Sequence, residues 1–593
     1  MTVKDFSFPL NVFARLLEMQ EGRVEYLHFP TFESADEPVL QAQERASRHL
    51  WQALPPPGRL LEVGIGLGTT LARLSAAGYR AMGITPEAAQ VAEVRRRHGP
   101  LVEVMESRLE DFAHEAGQWD ALLFQESAQY IDPLALFDAA ERLLHGGRTH
   151  LVVMDEFALR RSDAAHTGLH EIGAFCDLAA RHGWRLVHRT ELSAQAAPTL
   201  DYLLRGVRAR RDDLMADLSL DAATMDGLEA ALTRSQTLYR EGVYGYALLR
   251  FEREQPSADR PVRLGGAQAG AVRTLFERIF GHPLSAEEWA WKYGDGRGHA
   301  VGLVRPGRVP PGGDGAEPEL LSHYGGLSRR VIFHGEPVLA CQVCDVMVDA
   351  RARTALARGG PLQRTTATFL DEQIGWGKPH RIGFGFPTDR AMAAAEHLGL
   401  YTAVDEMVCA AWPASSAGTG VGTVAQPLEA ADLADGGEAV PVIDGLWRDM
   451  AAALPQATLG VRDAAWLRHR YLGHPRFRYE LWLLRRRLTR RPIGVAVLRR
   501  HEQHLEWVDA VAPPAAWGAL LAVARQRAAV LGAPMVEAWI TQSQQHLMQA
   551  LAPQDIGLRP LGIRVPANAH SPGPDADAHR GRWLLMAGDT DFR

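Results

Sequence analysis

Seven short apolar runs punctuate residues 40–250: RLLEVGI, YRAMGI, LVEVM, WDALLFQ, THLVVM, WRLVHRTEL and YGYALLRFE. Between them lie stretches such as PEAAQVAEVRRRH and LFDAAERLL, whose apolar residues recur every three or four positions, the spacing of one helix face. Strand and helix patterns alternating in this way predict βαβ units and a mainly parallel sheet, with the last two strands as an antiparallel edge. Beyond residue 260 the order changes. A helix pattern, GAQAGAVRTLFERIF, precedes strand-like runs around 300–304, 320–327, 331–334 and 338–348, and helices then alternate with strands at 381–385 and 404–411.

Three polar stretches interrupt these patterns. EQPSADRPV (254–262) and the small, flexible run at 413–441 read as linkers, whereas RPGRVPPGGDGAEPE (305–319) has strand-like sequence on both sides and reads as a hairpin loop. The expected division is 1–253, 260–413, a flexible linker 414–441, and 442–593. EEWAWKYGDGRGHAVGLV at 287–304 resembles AAWLRHRYLGHPRFRYELWLL at 464–484, with Trp289 or Trp291 and Tyr293 echoed by Trp466 and Tyr471. HLGLY at 397–401 and IGLRPLG at 556–562 occupy equivalent places, so the last segment reads as a fainter copy of the one before it.

The length of 593 residues predicts three to five domains, at roughly 100–200 residues each, and 46% hydrophobic with 23% charged residues is ordinary for globular domains. A net charge of −7 supplies no basic field for phosphate backbones, so nucleic acid is not the expected partner. Three lysines stand against 61 arginines, a coding bias from which no function follows. Four cysteines build no disulfide framework, and the start MTVKDFSFPLNVF lacks the basic end and apolar run of a signal peptide. With no apolar run long enough for a membrane span, a reduced cytoplasmic protein acting on a small-molecule substrate is expected. A homodimer is left open.

The sharpest signal is RLLEVGIGLGTTLARL at 59–74, where a strand runs into Gly64, Gly66 and Gly68 and then directly into a helix. Without Cβ atoms, such a turn lets backbone approach a ligand at a helix N-terminus, although it also serves as a packing device. Glu62 precedes the glycines, a second strand ends near Thr85, and Glu110-Asp111 lies ahead of WDALLFQ.

Residues 40–250 resemble the class I S-adenosylmethionine-dependent methyltransferases, and HGGR at 145–148 resembles that family's turn before the fifth strand. The resemblance implies an α/β fold, a doubly wound seven-stranded Rossmann-like domain, with S-adenosylmethionine held by Glu62, Gly64, Gly66 and Gly68. Rossmann oxidoreductases are the rival, but they carry an acid at the end of the second strand, where this chain has Thr85. GITPEAAQ resembles a segment of the cyclopropane fatty acid synthases, which implies Thr85 and Gln90 at the ribose. Glu110 or Asp111 would accept from the adenine amine; a solvated helix start is the plainer reading of both. The run Gln125 to Tyr130 resembles the wall between cofactor and acceptor, with Gln125 on the cofactor side. Where cyclopropane synthases carry Glu-His, this chain has Gln129-Tyr130, so cyclopropanation is not implied.

Methyl transfer from a sulfonium needs in-line positioning and, for a protonated acceptor, a base. Glu126, Tyr130, Glu156, His166 and His170 are the candidates. His166 and His170 would share one helix face and suit a metal only with a third ligand such as Glu156 or Glu171; two rim histidines and no metal is the plainer reading.

Residues 338–412 resemble the GNAT superfamily of acyl-CoA-dependent acyltransferases, through VLACQVCDVMVDARAR, the helix PLQRTTATFLDEQIG and RIGFGFPTDRAMAAAEHLGLY. This implies one or two mixed α/β GNAT-like domains, with acetyl-CoA or another acyl-CoA on the loop containing Arg353, Arg358, Gly359 and Gly360. Leu356 and Arg358 stand where that family has small residues, so either the loop is shifted or CoA binding is lost. The chain thus reads as a methyltransferase fused to an acyltransferase, or to a non-catalytic acceptor-binding or dimerisation module. Cys341 and Cys344 read as core thiols, one of Asp345 and Asp349 as able to face an acceptor, and the GDTDF ending equally as part of a packing or acceptor-shaping domain or as a surface tail.

Overall fold

The computed structural model describes residues 3–34, 36–161, 168–305, 318–352, 359–416 and 422–592. His166, Arg353 and Arg358 therefore lie outside the described residues. The chain forms two compact units, Met1–Val262 and Arg263–Arg593.

The first unit is built on one sheet of seven strands: β1 (Arg59–Val63), β2 (Arg80–Thr85), β3 (Glu103–Glu106), β4 (Ala121–Gln125), β5 (Thr149–Ala158), β6 (Arg185–Glu191) and β7 (Tyr244–Arg253). Their order is β3-β2-β1-β4-β5-β7-β6. The runs of the central strands β1, β4 and β5 are largely apolar because both faces are covered, whereas β6 at the edge is polar and mostly exposed. Leu61, Val63, Leu122, Phe124 and Val153 pack on one face, and Leu60, Ala121, Leu123, Val152 and Met154 on the other, as the two-residue period requires. Of the two strands expected at the antiparallel edge, only β7 is reversed. It lies inside the sheet, paired with β5 and β6, and β6 takes the edge.

In the second unit the junction strand β8 (Arg260–Arg263) is followed by β9 (Gly298–Arg305), β10 (Glu319–Phe333), β11 (Glu336–Val348), β12 (Ile382–Phe384) and β13 (Tyr401–Pro413). Then come β14 (Thr423–Leu428), β15 (Thr458–Gly460), β16 (Glu480–Arg486), β17 (Pro492–Arg500), β18 (Leu505–Val511), β19 (Met535–Thr541), β20 (Gly557–Asn568) and β21 (Trp583–Leu584). The runs 320–327 and 331–334 are one strand, because Arg329, which breaks the apolar pattern, is itself buried against Asp589. β9 and β10 are antiparallel neighbours with Arg305 opposite Glu319, as a hairpin requires; residues 306–317 lie outside the described residues.

The chain exchanges strands across the expected boundary at 413–441. One sheet runs β12-β11-β10-β15-β21, the other β14-β16-β17-β18-β19-β13-β20. β13 thus sits between β19 and β20, while β15 and β21 return to the sheet of β10. Within the stretch read as a flexible linker, 423–428 is a strand paired with β16 and 430–433 a helical turn, because its alternating Val424, Gln426 and Leu428 find a partner strand.

Two equivalent pairs tie helix to sheet. The Tyr293 hydroxyl donates to Asp345 Oδ2 (2.7 Å) and the Tyr471 hydroxyl to Asp509 Oδ2 (2.6 Å), each aspartate standing at an irregularity of its strand pairing. Tyr471 lies one residue further from Trp466 than Tyr293 does from Trp289, and the turn Arg468–Leu472 is a π-helix, which takes up one extra residue.

In the GDTDF ending, residues 588–591 are buried and only Phe592 is exposed, so it is not a surface tail. Asp589 accepts from Arg329 (3.1 Å) and Arg462, Asp591 accepts from Lys292 (2.9 Å), and Arg470 donates to the carbonyls of Gly588 (3.1 Å) and Thr590 (2.9 Å). Four buried cations need these anions and carbonyls, which outweighs the polarity of the segment.

Candidate functional site

The site lies at the C-terminal ends of β1, β2, β4 and β5, where helix N-termini and loops converge in an open α/β sheet. Gly64, Gly66 and Gly68 all adopt left-handed backbone (φ +81°, +50° and +74°) and lead into the helix Thr69–Ala76. A Cβ on Gly64 would stand 2.5 Å from Ser127 Cβ, and one on Gly68 2.6 Å from Val94 Cγ1. At Gly66 the nearest atom would be Leu27 Cδ1 at 3.6 Å, so this glycine answers to the turn and to whatever approaches it rather than to packing.

Two polar atoms at these strand ends are buried without a hydrogen-bond partner: Glu62 Oε2 and Gln125 Nε2. Burial pushes the Glu62 carboxyl up to about 8. Gln125 uses its other atom, Oε1, to accept from the Thr70 hydroxyl (3.0 Å). The two residues lie on adjacent strands and share a sheet face, since Glu62 pairs with Leu123 in the β1–β4 register.

Thr85 and Gln90 are brought together at the end of β2. The Thr85 hydroxyl donates to Gln90 Oε1 (3.1 Å), and Gln90 Nε2 donates to Glu87 Oε2 (2.6 Å). Of the acidic pair, Glu110 is half-buried beside Arg108 (3.4 Å) and Asp111 is exposed.

At the ends of β4 and β5 stands a group of acids hydrogen-bonded to tyrosines and backbone amides. Glu126, at the first position after β4, has φ +57°, a conformation that non-glycine residues adopt at a cost. Its Oε1 accepts from the Tyr246 hydroxyl (2.6 Å) and from the Phe29 amide. Burial raises its carboxyl far above the ordinary range, these two donors pull it back, and the nearby Asp155 and Glu156 raise it further. Asp155 accepts from the amides of Gln129 (3.1 Å) and Glu156 (2.9 Å), and burial holds it at about 8. Glu156 accepts from the Tyr239 hydroxyl (2.8 Å), and burial holds it at about 7.

Tyr130 is 79% exposed at the rim of this group. His170 points elsewhere: Nε2 lies 2.9 Å from the carbonyls of both Ala128 and Ile131, and its ring stacks on Phe175. Two carbonyl acceptors fix a hydrogen on Nε2, so His170 buttresses the loop after β4 and offers no base there.

The sequence reading left residues 23–32 unassigned, yet they run over the glycine turn. Glu25 O accepts from the Thr69 hydroxyl (2.6 Å), and the Phe29 ring stacks on Tyr246 at 5.7 Å. Burial alternates from Val24 to Pro30 with no strand partner among the described residues, and the residue types VEYLHFP do not announce it. Tyr239 and Tyr246 were missed too, because their partners lie 83 and 120 residues away.

In the second unit, Gly360 caps the helix Pro361–Gln373, and the Gly359 amide donates to Gln363 Oε1 (2.5 Å). Asp345 is buried between Lys292 (2.8 Å) and Tyr293, while Asp349 pairs with Arg351 (2.8 Å) and Arg278, which hold it well below the usual carboxylate range. Neither aspartate is left facing an acceptor. Cys341 and Cys344 are buried free thiols.

Residues 61–151 match the family model described as a methyltransferase domain. No curated protein matches the chain. Among solved structures, the chain is similar to the cyclopropane synthase MmaA2 from Mycobacterium tuberculosis (20% identity, 42% of this chain and 95% of that one, TM-score 0.35). It is also similar to a geranyl diphosphate C-methyltransferase from Streptomyces coelicolor A3(2) (19% identity, 42% and 95%, TM-score 0.33). A protein of Enterococcus faecalis V583 described as a probable N-acyltransferase aligns at 12% identity over 53% of this chain and 73% of its own (TM-score 0.40). No helix among the described residues is long and apolar enough to cross a membrane.

Proposed function

We propose that the first unit is an S-adenosylmethionine-dependent methyltransferase acting on a small molecule, and that Glu126 stands on its acceptor side. The observation that carries this is the pair of unpartnered buried atoms at the glycine turn, Glu62 Oε2 and Gln125 Nε2. A buried carboxylate oxygen wants a donor and a buried amide N–H an acceptor. The amino-acid end of S-adenosylmethionine, an ammonium and a carboxylate, offers both; the bound group supplies a methyl carbon on a positively charged sulfur.

This chain's residues then have distinct work. Glu62 and Gln125 hold the zwitterion, Gly66 gives it room, Thr85 and Gln90 meet the ribose, and Glu110 takes the adenine edge. Residues 25–29 exclude water above the turn. Glu126, oriented by Tyr246 and the Phe29 amide, accepts a proton from the acceptor. Calorimetric titration of S-adenosylhomocysteine into the full chain tests this: saturable binding that Glu62→Gln weakens is expected, and a preference for NAD would refute it.

A second reading concerns the second unit, as an acyl-CoA-dependent acyltransferase. It is supported by the recurring order of elements, by the break in pairing at Asp345 and by the Gly360-capped helix. The second copy has Pro513 and Pro514 after β18, where missing amide hydrogens leave no cradle for phosphate, so any CoA site belongs to the first copy. Titration of acetyl-CoA into the full chain separates this from an acceptor-binding or dimerisation module.

A further inference from the structure

The hairpin joining β16 to β17 concentrates positive charge. Five of the seven residues from 485 to 491 are arginine (Arg485, Arg486, Arg487, Arg490 and Arg491), and no Asp or Glu occurs from Leu481 to His501. The neighbouring strand β14 brings none either, since the chain is free of acids from Met407 to Leu428. Arg486, Arg487, Arg490 and Arg491 are exposed, and none of the five arginines has a carboxylate partner among the described residues. Arg499, further along β17, is by contrast paired with Glu506 (2.6 Å). In a chain of net charge −7 this is a local field that draws anions.

The turn is fixed before any partner arrives. The Arg486 amide donates to Arg491 O (2.8 Å), the Arg490 amide to Arg486 O (2.9 Å) and the Arg487 amide to Gly422 O (2.8 Å). Arg490 adopts left-handed backbone (φ +59°), a place that Gly or Asn fills at less cost, yet a guanidinium stands there. At the apex Leu488 is 95% exposed, with arginines on both sides of it. An aliphatic side chain set among guanidiniums does not match a nucleic acid. Phosphates would take the arginines, but residues 485–491 hold no aromatic ring for a base to stack on, and Leu488 would stay in water. A bilayer surface uses both parts: lipid phosphates take the guanidiniums, and the leucine enters the boundary of the acyl chains beneath.

We propose that the β16–β17 hairpin docks the protein on membranes rich in anionic lipid, its five arginines meeting the headgroups and Leu488 entering the acyl boundary. Attachment of this kind is peripheral and reversible. Each arginine near an anionic surface adds a modest attraction, one leucine adds little apolar burial, and salt screens the charges. The inference stands apart from methyl and acyl transfer, since no residue of the hairpin has been given a part in either.

The test is sedimentation of the full chain with vesicles of phosphatidylcholine alone and with vesicles of phosphatidylcholine and phosphatidylglycerol in equal parts. The chain should pellet with the anionic vesicles, stay in solution with the neutral ones, and be released by added salt. Arg487→Glu combined with Arg491→Glu should weaken binding about tenfold or more, two attractions being lost and two repulsions gained. Leu488→Ser, with every charge in place, should weaken it severalfold, and Leu488→Trp should strengthen it, a gain that a misfolded variant cannot give. Pelleting with neither vesicle or equally with both, undiminished binding by the arginine variant or by Leu488→Ser, or tighter binding to a DNA oligonucleotide or to polyglutamate than to the anionic vesicles would overturn the proposal.

Discussion

The Tyr246 hydroxyl donates to Glu126 Oε1 at 2.6 Å, joining β7, which enters the sheet last, to the residue that follows β4. The bond couples the carboxylate proposed to take the acceptor's proton to the one antiparallel strand of the sheet. Removing it in Tyr246→Phe takes a donor from the ionised form of Glu126, so its titration should move further upward. The alkaline rise of the methylation rate should then begin at higher pH than in the parent, measured as a pH–rate profile once an acceptor is in hand. An unchanged profile would detach Glu126 from proton transfer.

Glu62 gives a pH dependence of stability. Its folded value of about 8 exceeds the 4.5 of an ordinary glutamate. The folded chain therefore holds this proton across a window in which the unfolded chain releases it. The resulting stabilisation is complete below about pH 4.5 and is lost as pH rises through 8. Urea unfolding of Glu62→Gln between pH 5 and 8 should show a flatter decline than the parent. Because an ammonium beside Glu62 favours its charged form, S-adenosylhomocysteine should bind with proton release at pH 7.

The three glycines of the turn should separate. Gly68→Ala places a Cβ against Val94 in a left-handed residue and is expected to cost about 1–3 kcal/mol of stability. Gly66→Ala has room and should lower the melting temperature less, yet lose S-adenosylhomocysteine binding more completely. Thermal scans with calorimetry on the same two proteins check the inversion.

At the adenine edge, Glu110→Ala should weaken S-adenosylhomocysteine by about 5- to 150-fold, the equivalent of about 1–3 kcal/mol for a donor left unpaired. Asp111→Ala, at an exposed position, should leave affinity unchanged. The reverse result would shift the register of this loop by one residue.

In the second unit, Asp589→Ala strips anions from Arg329 and Arg462, both essentially inaccessible to water. Breaking a buried pair by removing one partner costs about 3–5 kcal/mol. Chemical unfolding should show a loss of that size, well beyond the effect of Asp213→Ala in the exposed pair with Arg210.

What the sequence made legible follows from range. All seven runs of the first unit became strands; the central ones were plainest, because strands covered on both faces write themselves as continuous hydrophobic stretches. The glycine turn was legible because its chemistry is local. Tyr246 beneath Glu126, Phe29 above it and Asp589 between two arginines were not, since each is defined by a partner far along the chain. The exchange of β13 into the second sheet escaped for the same reason: its alternation fits either sheet, and only tertiary pairing chooses. His170, read as a rim histidine or a candidate base, has its Nε2 between two carbonyls 42 and 39 residues away, a placement no local pattern announces.

The most direct measurement is calorimetric titration of S-adenosylhomocysteine into the full chain, the parent beside Glu62→Gln and Gly66→Ala, in two buffers of different ionisation enthalpy at pH 7. One-to-one binding by the parent, with protons released, and marked weakening in both variants is the expected result. Absence of binding by the parent, or equal affinity in all three proteins, would contradict the assignment of the glycine turn, Glu62 and Gln125 to this cofactor.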